Sequence, residues 1–228
     1  MSETIRDRLL RVQDRIRAAA SRVGRDASSV TLVAVSKAIP LPVIREGVEA
    51  GITILGENRV QEARDKIALL PHVARWHLVG HLQTNKAKLA IQLFELIHSL
   101  DSLRLAQILD RLGRELAKPA RCLVEVNLGG EESKSGITED GVRPLLEGAA
   151  GLRHLRIQGL MAIPPFLPDP EQIRPYFRRL RTLRDKLRDE GFALDELSMG
   201  MTHDFEVAIE EGATLVRIGT AIFGPRPT

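Results

Sequence analysis

From residue 31 onward the chain switches repeatedly between two hydrophobic periods, and no other feature narrows its fold as much. Eight runs read as strands: TLVAVSK, TILGEN, WHLVGH, LIHSLD, CLVEVNL, LRIQGLMAI, ELSMGM and TLVRIGTAIFG. Between them lie seven segments of helical character: LPVIREGVEAG, RVQEARDKIALL, NKAKLAIQLF, SLRLAQILDRLGRELAK, DGVRPLLEGAAG, the long run near 171–190, and DFEVAIEEG. Gly51, Gly151, Gly191 and Gly212 follow four of these helices, where a residue free to take positive φ is favoured. Strands that alternate with helices predict a parallel sheet. Eight such units in roughly 200 residues fit a compact (β/α)8 TIM barrel. A doubly wound open sheet is the alternative, but it more often carries a glycine-rich first turn, and VSKAIPLP is not one. The stretch GGEESKSG has the look of a phosphate loop, yet Ser133 stands where that signature needs glycine. Ahead of the first strand, Ile5, Leu9, Val12 and Ile16 predict an extra N-terminal amphipathic helix. No linker breaks the pattern, and the proline-rich PPFLPDP is too short to be a boundary, so residues 1–228 read as a single domain.

Composition sets the class. At 43% hydrophobic and 28% charged over 228 residues, the chain is an ordinary soluble globular protein with enough apolar side chains for a large core. No run is long enough to span a bilayer, so no membrane association is expected. The N-terminus MSETIRDRLLRVQ has no apolar core before a cleavage site and does not read as a secretory signal. The single cysteine, Cys122, lies in an apolar run and can form no internal disulfide, which fits a reducing, cytoplasmic home. A net charge of +3 and a pI of about 9.3 raise the question of nucleic acid. The arginines are interleaved with acids, as in RRLRTLRDKLRDE, without aromatic partners, so they read as solvated helix faces and no nucleic-acid partner is expected.

In a barrel of this kind the chemistry sits at the C-terminal ends of the strands. The first strand-like run ends on Lys37, just before a proline-containing turn. By itself this is a lysine whose stem covers the core while its amine reaches water. The ends of the seventh and eighth runs offer the Thr202 hydroxyl and the backbone amides of Gly219 and Thr220, and successive amides make an anion nest. Barrel closure brings strand eight beside strand one, so a phosphate held there lies within a small molecule's length of Lys37. That pairing suggests a phosphorylated carbonyl held as a Schiff base, the shape of pyridoxal 5′-phosphate. Arg217, two residues before Gly219, shares its strand face and is placed to reach the far side of a bound ring, although a packing or surface arginine is an equal reading. His77 and His81 do not read as a metal pair, because four residues along a strand separate them by about 13 Å.

The ordered motifs VAVSK, GENRVQEARDK, WHLVGHLQTNK, HSLDS, NLGGEESKSG, QGLMAIP, LSMGMTHDFEVAI and VRIGTAIFG resemble those of the pyridoxal phosphate homeostasis proteins (the YggS/PROSC family). The likeness runs from the N-terminal helix to the C-terminus. Members resemble the barrel domain of bacterial alanine racemase without its second domain. The resemblance implies that Lys37 carries the cofactor, that Thr202, Gly219 and Thr220 hold its phosphate, and that Arg217 faces the pyridine nitrogen. It places Asn58 near the ring and has Met161 and Met199 help line the pocket. Two departures stand out. Arg59 occupies a position that is aromatic in many members, and Thr202 one that is often serine, with the hydroxyl kept. His81 and His203 are assigned no role.

A racemase needs acid–base groups on both faces of the substrate. The resemblance implies that in the two-domain racemases the second base is a tyrosine from the partner subunit's second domain; the one tyrosine here, Tyr176, lies in a helical segment rather than at a strand end, so that base is expected to be absent. An arginine at the ring nitrogen, with a pKa above about 12, would not protonate it and leaves a weak electron sink. These points favour a protein that holds the cofactor, limits the free aldehyde and supplies it to apo-enzymes in the cytoplasm, and a lone barrel without the second, dimerising domain is expected to be a monomer. A low-activity amino-acid racemase or lyase is the alternative reading.

Overall fold

The computed structural model describes residues 3–129 and 135–225. The GGEESKSG stretch therefore lies partly outside the described residues. Eight strands run in chain order: β1 (Thr31–Val35), β2 (Ile54–Glu57), β3 (Arg75–Leu78), β4 (Leu96–Leu100), β5 (Ala120–Glu125), β6 (Leu155–Met161), β7 (Glu196–Met201) and β8 (Leu215–Ile218). They form a closed barrel in sequence order. Every pairing is parallel, and closure comes from β8 beside β1, with Thr31 opposite Leu215 and Ala34 opposite Ile218.

The crossovers are α2 (Leu41–Glu49), α3 (Val60–Leu69), α4 (Ala87–Leu93), α5 (Leu103–Glu115), α6 (Glu139–Ala149), α7 (Arg174–Asp189) and α8 (Phe205–Glu210), preceded by α1 (Ile5–Arg22) and followed by α9 (Thr220–Phe223). Thr4 and Asp7 close a capping box that starts α1. Its buried stripe, Ile5, Leu9, Val12 and Ile16, packs against α2, α8 and α9. Gly51, Gly191 and Gly212 sit at positive φ just past α2, α7 and α8, while Gly151 ends α6 without one.

The strands stop one to three residues short of several polar positions that the sequence pattern attaches to them. β1 ends at Val35, β2 at Glu57 and β3 at Leu78, so Lys37, Asn58 and His81 all stand in the loops beyond. The eighth apolar run divides, with β8 ending at Ile218 and Thr220 opening α9.

Alternation along the strands makes two apolar layers. Val33, Ile54, Leu96, Leu123, Met161 and Leu215 fill the barrel interior. Ala34, Leu55, Leu78, Ile97, Val124, Leu160 and Val216 face the helices in the main core. Each such large side chain taken out of water contributes roughly 1.5–3 kcal/mol. One step towards the C-terminal ends the interior changes character. Two residues past Ile54, Leu96, Leu123 and Leu215 stand Gly56, His98, Glu125 and Arg217. The apolar plug therefore gives way to a polar upper layer, and this layer floors the functional end.

Candidate functional site

The turns that follow β1, β2, β7 and β8 enclose a cavity of about 260 Å³ at the C-terminal mouth of the barrel. Lys37, Asn58, Thr202, Arg217, Gly219 and Thr220 line it, joined by Val35, Val79, Ile163, Met201 and His203. The structure thus brings together six of the residues singled out in the sequence. Met161 lies in the interior apolar plug. Met199 is fully buried on the opposite strand face, in the core beneath the helices, and Met201 is the β7 methionine at the cavity. A larger furrow of about 730 Å³ runs along α6 and α7. It lies in the outer helix layer, and its arginines are engaged in ion pairs, Arg178 with Glu211 and Arg179 with Glu139.

Arg217 is the fixed cation of the cavity wall. It projects inward from β8 and is almost fully buried. Its Nη1 donates to the Ser198 carbonyl at 2.8 Å and to Ser198 Oγ at 2.6 Å, and Nη2 donates to the Ala162 carbonyl at 2.9 Å. Burial pushes its pKa down to about 10, with Asp204 and Glu125 pulling the other way. It remains a cation at neutral pH. Behind it, Ser198 Oγ lies 2.8 Å from His98 Nδ1, and His98 Nε2 lies 3.1 Å from His77 Nδ1. Arg217 can only donate, so Ser198 accepts from it and passes its own hydrogen to His98 Nδ1. His98 then donates from Nε2 to His77. Burial holds His77 down to about 4 and His98 well below the ordinary histidine value, so both rings are neutral and the chain has one direction.

The anion end is built by two turns. Met201 N–H donates to Asp204 Oδ1 at 2.6 Å, and Asp204 N–H returns to the Met201 carbonyl at 3.1 Å. This closes the turn that carries Thr202 and His203. Burial raises the Asp204 carboxyl, against the pull of the Met201 amide and Arg217. At the other turn, a Cβ on Gly219 would lie 3.2 Å from the Val35 carbonyl, so glycine lets the start of α9 press against β1. The amides of Gly219 and Thr220 open α9 ahead of the first amides that bond back within it, those of Ile222 and Phe223 to the Gly219 carbonyl. Asn58 is fixed in a similar way, because a Cβ on Gly80 would come within 2.4 Å of its carbonyl.

His203 Nε2 donates to the carbonyls of Leu167 and Pro168, at 3.2 and 3.0 Å, and its ring lies against Phe166. It ties the proline-rich loop after β6 to the cavity rim. Tyr176, in α7, is not among the cavity-lining residues. Cys122 is buried in the main core, where burial pushes its thiol up.

Sequence reasoning missed Ser198, His98 and Asp204 as supports. Strand alternation gave a signal for the first two, because both lie on the inward face with Arg217. The mouth as built offers an amine at one rim, a buried guanidinium in the wall, and the Thr202 hydroxyl with the Gly219–Thr220 turn at the other rim. That set suits a small, flat, anionic molecule with an electrophilic carbon.

The alanine racemase N-terminal domain family matches residues 9–227. A protein of Aquifex aeolicus named pyridoxal phosphate homeostasis protein is 48% identical over 222 residues, covering 96% of this chain and 97% of its own. Among solved structures, PipY of Synechococcus elongatus without PLP superposes with a TM-score of 0.84 at 39% identity, covering 93% of this chain and all of PipY. The same protein with PLP bound gives a TM-score of 0.82 at 38% identity, with the same coverage. Alanine racemase of Clostridium difficile, at 16% identity and a TM-score of 0.74, covers 96% of this chain but 57% of the racemase and shows the shared barrel alone.

Proposed function

The chain belongs to the pyridoxal phosphate homeostasis protein family, and on that premise we propose that it binds pyridoxal 5′-phosphate at the barrel mouth and holds it covalently on Lys37. The observation that carries this reading is the convergence of Lys37, Arg217, Thr202, Gly219 and Thr220 on one cavity. The cofactor supplies an aldehyde and an electron-withdrawing ring. Lys37 would hold the group through its amine, the nucleophile that the aldehyde calls for, with water as the by-product of the linkage. Thr202 and the amides of Gly219 and Thr220 hold the phosphate, Arg217 faces the ring nitrogen, and Asn58 lies beside the ring. Met161 supports the floor from the interior plug. Met199 acts one layer further out, through packing behind β7.

Arg217 donates hydrogen bonds and keeps its own proton at neutral pH, which leaves the ring nitrogen without an acid. The cavity wall carries no tyrosine, and the Nε2–H of His203 is committed to the β6 loop. These features support a carrier over a catalyst, and our reading is of a cytoplasmic, monomeric, single-domain protein that buffers the free aldehyde and passes it to apo-enzymes. Among the described residues no helix is long and apolar enough to cross a membrane.

Borohydride reduction of the protein mixed with pyridoxal 5′-phosphate, followed by peptide mapping, tests the assignment. Label is expected on the peptide containing Lys37, with loss of the visible band in Lys37→Ala. Label mainly on Lys86 or Lys134 would overturn it. Steady turnover of amino acids by the purified protein would favour the racemase or lyase reading.

A further inference from the structure

Both peptide groups that flank Lys37 are held by one ion cluster supplied by β2 and α3. Lys66 Nζ donates to the Ser36 carbonyl, to Glu57 Oε1 and to Glu62 Oε1, each at 2.7 Å. An ammonium has three hydrogens, and these three acceptors use them all. Glu62 Oε1 also accepts the Ala38 backbone N–H at 2.7 Å, and Ser36 Oγ donates to Glu57 Oε1 at 2.6 Å. The Ser36 carbonyl belongs to the peptide before Lys37, and the Ala38 N–H to the peptide after it. With both planes pinned, the direction in which the Lys37 side chain leaves the backbone is set.

The backbone carries a further mark of constraint. Ala38 adopts φ 58, a left-handed conformation that a residue with a Cβ keeps only where its surroundings impose it. Ser36 and Glu57 are fully buried and Lys66 nearly so. Burial pushes the Glu57 carboxyl up against the pull of Lys66 and Ser36, and its Oε2 has no partner among the described residues. At Glu62 burial works the same way, but the hydrogen bonds from Lys66 and the Ala38 amide outweigh it and hold the group as a carboxylate. Stability alone is a poor reason for such a cluster, since apolar residues of similar volume usually serve a core as well or better. Its contacts fall instead on the two peptides that aim Lys37.

We infer that Lys66 is a positioning residue: with Glu57 and Glu62 it locks the Ser36–Ala38 turn so that the Lys37 amine meets the aldehyde of a bound pyridoxal phosphate. The inference rests on the reading of Lys37 given above. Lys66 itself does not line the cavity.

Pyridoxine 5′-phosphate separates the parts of the site, because it keeps the ring and phosphate but has an alcohol in place of the aldehyde. In Lys66→Met, affinity for pyridoxal 5′-phosphate and the rate of borohydride fixation at Lys37 should each fall by about tenfold or more, the scale of a lost orienting contact. Binding of pyridoxine 5′-phosphate should stay within about twofold, since its contacts are made elsewhere. Equal weakening of both ligands would mean a merely structural role, and unchanged fixation in a folded variant would overturn the inference outright. Lys66→Met strands buried carboxylates and is checked for a cooperative melt. If it does not fold, Glu62→Ala decides, because Glu62 is only partly buried and is the acceptor of the Ala38 amide. The same selective loss for the aldehyde ligand is expected there, and its absence is the contrary result. A wild type that fixes no cofactor at Lys37 defeats the Lys37 reading and this inference with it. Normal wild-type fixation with unaffected variants defeats the inference alone.

Discussion

Thr202 is the side chain on which the anion end of the cavity can be tested most directly. Its hydroxyl stands on a turn closed by Asp204, and it is partly exposed at the mouth rather than packed in the core. Charge-assisted hydrogen bonds are the stronger kind, so a dianionic phosphate is favoured there. Thr202→Val keeps the side-chain shape and removes one such bond, worth about 1.5–3 kcal/mol, or roughly one to two decades of affinity. Spectral titration of wild type and variant with pyridoxal and with its phosphate measures this. The phosphate ester should bind far more tightly to wild type, and Thr202→Val should narrow the gap. Equal affinities for the two vitamers in wild type would place the anion site elsewhere. Thr202, Lys37, Arg217, Gly219 and Thr220 were legible in the sequence because each stands at or just past a strand end, and strand ends were readable from alternation. Lys66 was not. Glu62 and Lys66 are four apart on a helix, the spacing of an ordinary exposed ion pair, and only the packing of α3 onto the end of β2 shows Lys66 to be buried and Glu62 partly so.

Elements repeat this contrast between what is local and what is tertiary. All eight strands and seven crossover helices follow from hydrophobic period, because a barrel buries one face of every helix and both faces of every strand. α9 escapes that rule. Apart from Arg217 and its two threonines the run TLVRIGTAIFG is apolar, and its second half, IGTAIFG, carries no period that separates a strand from a short buried helix. The break comes at Gly219, where close contact with Val35 turns the chain. α1, by contrast, has a clean stripe and packs against α2, α8 and α9. Arg15 fastens it further, pairing with Glu206 at 2.8 Å and stacking over Phe205. Leu9 is buried in that stripe, so Leu9→Ala should cost about 2–5 kcal/mol of stability by urea denaturation. No residue of α1 lines the cavity, so cofactor affinity of the folded variant should stay within about threefold of wild type. A large loss of affinity together with intact stability would mean that α1 acts on the site through α9 rather than by covering the outer core.

Across the whole molecule, the polar layer inside the barrel ties stability to pH. His77 and His98 are neutral in the fold, and burial is the first cause in both. An unfolded histidine takes up its proton near pH 6.5, whereas folded His77 resists until about 4. Between those values the unfolded chain binds more protons, so stability is lost as pH falls through that window. The buried acids work in the opposite sense. Glu57, Glu125 and Asp204 have raised values in the fold, so their ionisation weakens it as pH rises above the ordinary carboxylate range. The pH profile of the wild type therefore mixes two opposed contributions, and a difference measurement is needed to separate them. His77→Asn serves, because its amide oxygen can take the place of Nδ1 as acceptor from His98, while the three acids remain in both proteins. At pH 7 the wild type should be the more stable, through its better-filled interior. Between pH 7 and pH 5 its advantage should shrink by about 2 kcal/mol, as the proton taken up by unfolded His77 has no counterpart in the variant. Urea denaturation at the two pH values reads this directly. A gap that does not change with pH would mean that His77 titrates alike in folded and unfolded chains, and the directed chain from Arg217 through Ser198 and His98 would lose its neutral terminus.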